Sequence, residues 1–275
     1  MKATLSIALL LAATQAWCQA PAPQGEIKGQ AIVHTPESAR AAMANGALVL
    51  PAAATGGAVF TGAFKDAPRE TRARVPVVVF LHGSSGLGLK AIGEWQQWLA
   101  TMGIASFAPD SFALPGRVTY TSPVGKDFYE KIHALRGSEI TLAVQALKDA
   151  PWADPRRLVL AGTSEGATAV ARYAGDAFAA RMIFSWSCED NYFVETHRTA
   201  VRPEQPVLNV ISATDPFFSR SNAWLGQPAA VGHCAAAFND HPKASIVLIP
   251  GAPHTLLNLP VARQVVAGYL QDALK

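Results

Sequence analysis

The chain has 275 residues, half of them hydrophobic, and a formal net charge of +3. That length and apolar content suffice to bury a sizeable core, which excludes a disordered chain. Charge is close to balanced and no block of like sign occurs, which excludes a nucleic-acid-binding face or an acidic-partner tail and leaves small molecules as the expected partners.

Residues 1–20, MKATLSIALLLAATQAWCQA, place Lys2 before an apolar stretch from Ala3 to Ala13 and then small and polar residues, the pattern of a secretory leader. The stretch is too short to span a bilayer. Cleavage is expected near Ala20, with Ala16 as the alternative. Cys18 follows Gln-Ala-Trp and lacks the small or leucine residues that precede a lipoprotein cysteine. The expected product is an exported protein, periplasmic or extracellular, without a membrane span. Nothing in the composition sets its oligomeric state. Export leaves Cys188 and Cys234 where disulfides persist, so a bridge between them is expected, the alternative being two separate buried thiols.

Residues 21–74 are rich in Ala, Gly and Pro, with a short helical patch near Glu37 to Met43 and two strands, Ala47 to Leu50 and Ala58 to Phe64, expected to cover one edge of the core. The catalytic core is expected over residues 75–275, where the pattern alternates. Strand Val77 to Leu81, helix Ala91 to Met102 and strand Ile104 to Ala108 come first, then an irregular stretch reaching a helix over Gly137 to Asp149. Strand Leu158 to Ala161 leads into a helix after Ser164, and strands Met182 to Trp186, Val207 to Ser212 and Ser245 to Ile249 precede a last helix from Pro260. Apolar strands without polar alternation are buried on both faces, so the fold class is α/β: one domain with a mostly parallel central sheet flanked by helices on both faces.

Within this rhythm, GTSEG at residues 162–166 sits between a strand and a helix. A nucleophile elbow needs that hinge. Glycines let the turn pass close to neighbouring backbone, the serine is thrust above the sheet edge, and the free N–H groups of the helix start favour developing negative charge. A serine hydroxyl must also be deprotonated by a base that a carboxylate orients. In the order Ser, Asp, His, the candidates are Ser164, Asp215 just past its strand, and His254 a few residues past the next. His241 precedes its strand and His34 lies in the N-terminal segment, so both fit worse. Asp190, beyond strand Met182 to Trp186, competes as the acid. Donors to the oxyanion are expected from the N–H of Glu165 and from the loop after Leu81, with Ser84 first and Ser85 second.

That loop also spells G-x-G-x-x-A at Gly86, Gly88 and Ala91, with Asp110 about twenty residues on, which imitates a dinucleotide fingerprint. Four residues intervene between the strand and Gly86, however, where the first glycine of that fingerprint should turn directly out of the strand. Taken with the Ser, Asp, His order, the residues point to an exported serine hydrolase acting on an ester or related acyl bond. The site needs no metal or organic cofactor, and its partner is a small-molecule acyl substrate. A peptidase or thioesterase on the same residues, a dinucleotide-dependent oxidoreductase and a non-catalytic binding protein are the alternatives.

The stretches VVVFLHGSSGLG, WLATMGIASFAPDSF, RGSEITLAVQALKDAPWADPRRLVLAGTSEG, ATD and PGAPH together resemble the dienelactone hydrolase branch of the α/β-hydrolase superfamily, over roughly residues 75–270. The resemblance implies Ser164 as nucleophile, Asp215 as acid and His254 as base. The enzymes that name the branch carry cysteine at the nucleophile position where this chain has serine, so a dienelactone substrate is not implied.

Loops over Ser111 to Arg136, Glu189 to Pro206 and Pro216 to Pro242 are expected to shape the pocket with Phe112, Tyr120, Phe128, Tyr129, Tyr192, Phe193, Phe217, Phe218 and Trp224. Glu165 could pair with Arg117 or Arg136 and hold a loop down.

Overall fold

The computed structural model describes residues 25–226 and 229–275; the leader expected over residues 1–20 lies outside them. The strands are β1 (Ile27–Lys28), β2 (Ala47–Leu50), β3 (Phe60–Ala63), β4 (Val75–Leu81), β5 (Ala105–Ala108), β6 (Thr119–Tyr120), β7 (Ala153–Thr163), β8 (Ala180–Phe184), β9 (Val207–Ser212) and β10 (Ala244–Ile249). The helices are α1 (Pro36–Ala44), α2 (Ala52–Thr55), α3 (Lys90–Thr101), α4 (Lys126–Lys148), α5 (Glu165–Arg172) and α6 (Pro260–Ala273).

Eight strands form one sheet in the order β10-β9-β8-β7-β4-β5-β2-β3. The run from β10 to β5 is parallel, whereas β2 pairs antiparallel with both β5 and β3, which places the N-terminal segment at one edge of the same sheet. Strand β4 shows why the sheet is covered twice. Its Val77, Val79 and Leu81 point into one apolar layer, with Ala42 of α1, Ile140 of α4 and Val170 of α5. The alternate Val78 and Phe80 point into the other, with Trp95 of α3 and Val266 of α6. All five of these β4 side chains are fully buried.

Chain direction places the site. From β4 the chain moves to β5 on one side, then crosses to β7 on the other, so the strand order reverses between β4 and β7. The carboxyl ends of two such strands flank a crevice that nothing else fills. The loop from His82 and the turn at Ser164 leave the sheet there, with Leu81 paired to Gly162.

Several expected elements have other bounds: the strand expected over Leu158 to Ala161 runs from Ala153 to Thr163, and that expected over Ala58 to Phe64 is confined to Phe60–Ala63. The helix expected over Gly137 to Asp149 starts at Lys126 and takes in much of the stretch expected as loop. Its buried residues, Tyr129, Ile132, His133, Leu135, Arg136, Glu139, Ile140, Ala143 and Leu147, keep helical spacing. His133 and Arg136 occupy core positions in that series, which breaks the apolar periodicity that marks a helix in sequence. The strand expected to reach Trp186 ends at Phe184, because Ser185 turns the chain with φ of 52°. The two-stranded pair β1 and β6 carries no sequence signal at its length.

Cys188 and Cys234 are joined by a disulfide, with Cα atoms 4.8 Å apart. It ties the loop after β8 to the segment between β9 and β10. Closing a span of 46 residues removes about 4 kcal/mol of unfolded-chain entropy in the chain-entropy description. Replacing both cysteines with alanine should therefore lower the free energy of unfolding by up to about that amount in a urea titration. An unchanged midpoint would show that the bridge adds no stability.

Candidate active site

Ser164 sits between β7 and α5 with φ of 53° and ψ of −119°, a conformation that L residues rarely adopt. The turn is held from both sides: the Ser164 N–H donates to the Phe184 carbonyl at 3.0 Å, and the Ala167 N–H donates to the Ser164 carbonyl at 3.0 Å. Both flanking glycines are sterically required. A Cβ at Gly162 would stand 2.8 Å from the backbone of Gly166, and one at Gly166 would stand 2.7 Å from the His82 carbonyl. The same close approach brings Gly83 against Ser164, where an added Cβ would lie 3.3 Å from the serine Cβ.

His254 Nδ1 donates to Asp215 Oδ2 at 2.7 Å. The carboxylate is fully buried, and its other oxygen accepts the N–H groups of Phe217 at 2.9 Å and Phe218 at 3.1 Å. Three contacts of this kind fix the orientation of the carboxylate. With Nδ1 as the donor, Nε2 of the neutral imidazole is free to accept a proton. Asp190 plays no part in this pairing. It is exposed, and its carboxylate accepts the backbone N–H of His197.

The loop that carries His254 is anchored by two serines not singled out from the sequence. Ser185 Oγ donates to the His254 carbonyl at 2.5 Å, and Ser212 Oγ donates to the Ala252 carbonyl at 2.6 Å. Each serine closes or follows a strand, and that position is the only sequence signal either one gives. The Phe217 ring packs edge-on to the imidazole with centroids 4.7 Å apart.

Ser164 and His254 line one cavity of about 130 Å³, together with Ser84, Ser85 and Gly86 of the loop after β4. Among the described residues, the N–H groups of Glu165, Ser84 and Ser85 meet no backbone acceptor. Such donors at the start of a helix and in a turn can receive a developing oxyanion. Of the aromatic residues expected at the pocket, Tyr120, Tyr192, Phe193, Phe217 and Phe218 line it. The others do not, because each packs elsewhere. Tyr129 is buried behind Phe193, Phe128 and Trp224 lie edge-on to Tyr120 and Tyr192, and Phe112 lies under the Arg117 guanidinium.

The dinucleotide-like stretch is used differently. Gly86 turns with φ of 75°, a backbone conformation that favours glycine, and an added Cβ would lie 3.1 Å from the Phe112 ring. Asp110 Oδ1 accepts the Phe112 N–H at 3.0 Å.

Beneath the elbow lies a buried network of charge. Glu165 Oε1 is 2.6 Å from Arg117 Nη2 and 3.5 Å from Arg136 Nε, so it meets both arginines offered by the sequence, and its Oε2 accepts the Tyr120 hydroxyl at 2.9 Å. Arg136 Nη1 lies 2.6 Å from Glu139 Oε2, a charge contact without straight hydrogen-bond geometry, while Nη2 donates to the His82 carbonyl at 2.9 Å. Ser111 Oγ and His34 Nε2 reach Glu139 Oε1 at 2.5 and 3.1 Å. Burial pushes the Glu139 carboxyl up, but Arg136 and these hydrogen bonds outweigh it and hold the group below its usual range. Burial, then Arg136, holds His82 well below the usual histidine range. A neutral His82 matches its contacts, Nδ1 facing the Gly83 carbonyl and Nε2 accepting the Ser111 N–H.

A model of the dienelactone hydrolase family matches residues 63–267. Among solved structures, TT1662 from Thermus thermophilus is similar, with a TM-score of 0.52 at 18% identity over 74% of this chain and 90% of that one. A dienelactone hydrolase-like promiscuous phosphotriesterase from metagenomic libraries gives 0.52 at 17% identity over 74% and 88%. A cold-adapted esterase from an Arctic intertidal metagenomic library gives 0.50 at 16% identity over 79% and 88%. At these identities the likeness is one of fold. No curated protein matches the sequence.

Proposed function

The chain belongs to the dienelactone hydrolase family, and from that premise we propose that it is an exported serine hydrolase that cleaves a carboxylic ester through an acyl-enzyme. The observation that carries this reading is that His254, hydrogen-bonded to the buried Asp215, shares a cavity with a serine held in a strained turn.

In acylation, Ser164 Oγ bonds to the ester carbonyl carbon as its proton passes to His254 Nε2, and the carbonyl electron pair moves onto oxygen, facing the N–H groups of Glu165 and of Ser84 or Ser85. Collapse of this intermediate breaks the bond to the alkoxy oxygen, which takes the proton from His254 and leaves as the alcohol. Water then attacks the acyl-enzyme, giving one proton to His254, and the second collapse returns that proton to Ser164 and releases the acid. Asp215 orients the imidazole and stabilises the imidazolium. The leader pattern at residues 1–20 and the Cys188–Cys234 bridge support export.

A fluorophosphonate should label the folded protein once, at Ser164, and Ser164→Ala should abolish both the label and ester hydrolysis. Labelling at another residue, or none, would overturn the reading.

A further inference from the structure

We infer that the active-site cavity takes a small, uncharged acyl group, no larger than about one aromatic ring, and discriminates against acyl groups that carry a carboxylate. The inference rests on the serine-hydrolase reading above and specifies its substrate class. Size comes first. The cavity, partly open on one side, holds about 130 Å³, and an enclosed apolar cavity of about 150 Å³ accommodates one benzene. During turnover the acyl group stays bonded to Ser164 while the alcohol departs, so the acyl group is the part that must fit.

The walls cannot easily retreat to admit more. Phe193 and Phe218 are 3% and 1% exposed, and each is backed by further rings, Phe193 by Tyr129 at 4.4 Å and Phe218 by Trp186 at 4.9 Å. Interiors packed at this density yield little without loss of contacts elsewhere.

Charge comes second. Among the described residues lining the cavity there is no Asp, Glu, Lys or Arg. The two arginines beside the elbow are turned inward: Arg117 is engaged by Glu165, Ser111 and the Val118 carbonyl, and Arg136 by Glu139 and the His82 carbonyl. Tyr120, a wall residue whose hydroxyl reaches this network, already donates it to Glu165, so that proton is not available to an anionic substrate. A carboxylate entering the cavity would lose its water and gain no cation.

The test compares p-nitrophenyl esters on the full-length protein, corrected for spontaneous hydrolysis. Expected is a kcat/KM highest for acetate or butyrate, lower by about 100-fold for dodecanoate, and lower by about tenfold for the hemiglutarate than for the neutral pentanoate. Tyr192→Ala, which removes a wall ring, should narrow the gap between butyrate and dodecanoate by about tenfold. Fluorophosphonate labelling run in parallel separates the two levels of failure. If Ser164 is labelled but dodecanoate or the hemiglutarate is preferred, or none of the esters is cleaved, the inference on substrate class is overturned and the nucleophile stands. If Ser164 is not labelled and no ester is cleaved, the serine-hydrolase reading itself falls.

Discussion

Asp215→Asn should leave a folded protein whose kcat is lower by about 10⁴, the loss seen when the equivalent charge is removed from a serine protease triad. The carboxylate makes two kinds of contact, and the substitution separates them. Its Oδ1 accepts the Phe217 and Phe218 N–H groups, and an amide oxygen in that place can still accept both. Its Oδ2 accepts Nδ1 of His254 at 2.7 Å, and an amide NH₂ there can only donate. The imidazole would then carry its proton on Nε2, where it cannot accept one from Ser164, and no charge would stabilise the imidazolium. The matched control is Asp190→Asn. That carboxylate is exposed and caps the His197 N–H, so its loss should cost less than about tenfold, under roughly 1.4 kcal/mol of barrier. Circular dichroism verifies folding and single-turnover acylation measures the loss. A reversed order of effects would move the acid to the loop after β8.

How much of this site can be read from sequence depends on the range of the interaction. Ser164 and Asp215 each follow an apolar run that announces a buried strand, and His254 follows the apolar edge strand β10, of which Ile249 alone is buried, so their order and their places at strand ends are local signals. The close approach of Gly162 and Gly166 is local too, because the glycines bracket the serine they serve. The positioning of the histidine is not local. Ser185 and the His254 carbonyl are 69 residues apart, and a serine at the end of a largely apolar strand looks like any other. The buried charges are still less legible. His34 and Glu139 lie 105 residues apart, and His133, Arg136 and Glu139 read as solvated polar positions that interrupt an apolar pattern. That interruption is also why the first half of α4 looks irregular, so one physical fact, charged residues paired inside the core, conceals both the helix and the network.

That network sets the last expectation, which concerns stability rather than chemistry. Arg136→Met should lower the free energy of unfolding by about 3–5 kcal/mol, the usual cost of removing one partner from a buried ion pair. Arg136, Glu139 and Glu165 are all fully buried. Two arginines, Arg117 and Arg136, face two carboxylates, Glu139 and Glu165, at 2.6 Å in each main pair. Methionine would fill much of the arginine volume but leave two carboxylates against one cation. Burial, the largest influence on Glu139, would then push its carboxyl up without Arg136 to oppose it, and the His82 carbonyl would lose its donor. At about 2–4 °C per kcal/mol for a chain of this size, Tm should fall by roughly 6–20 °C. Arg136→Met combined with Glu139→Leu distinguishes charge imbalance from lost packing. Removing both members restores the charge balance, and apolar replacement of a whole buried pair is often close to neutral, so the double variant should be more stable than Arg136→Met alone. A double variant that falls further than the single one would show that Glu139 stabilises the fold mainly through Ser111 and His34, and a single variant within about 1 kcal/mol of the parent would show that the Arg136 pairing contributes little.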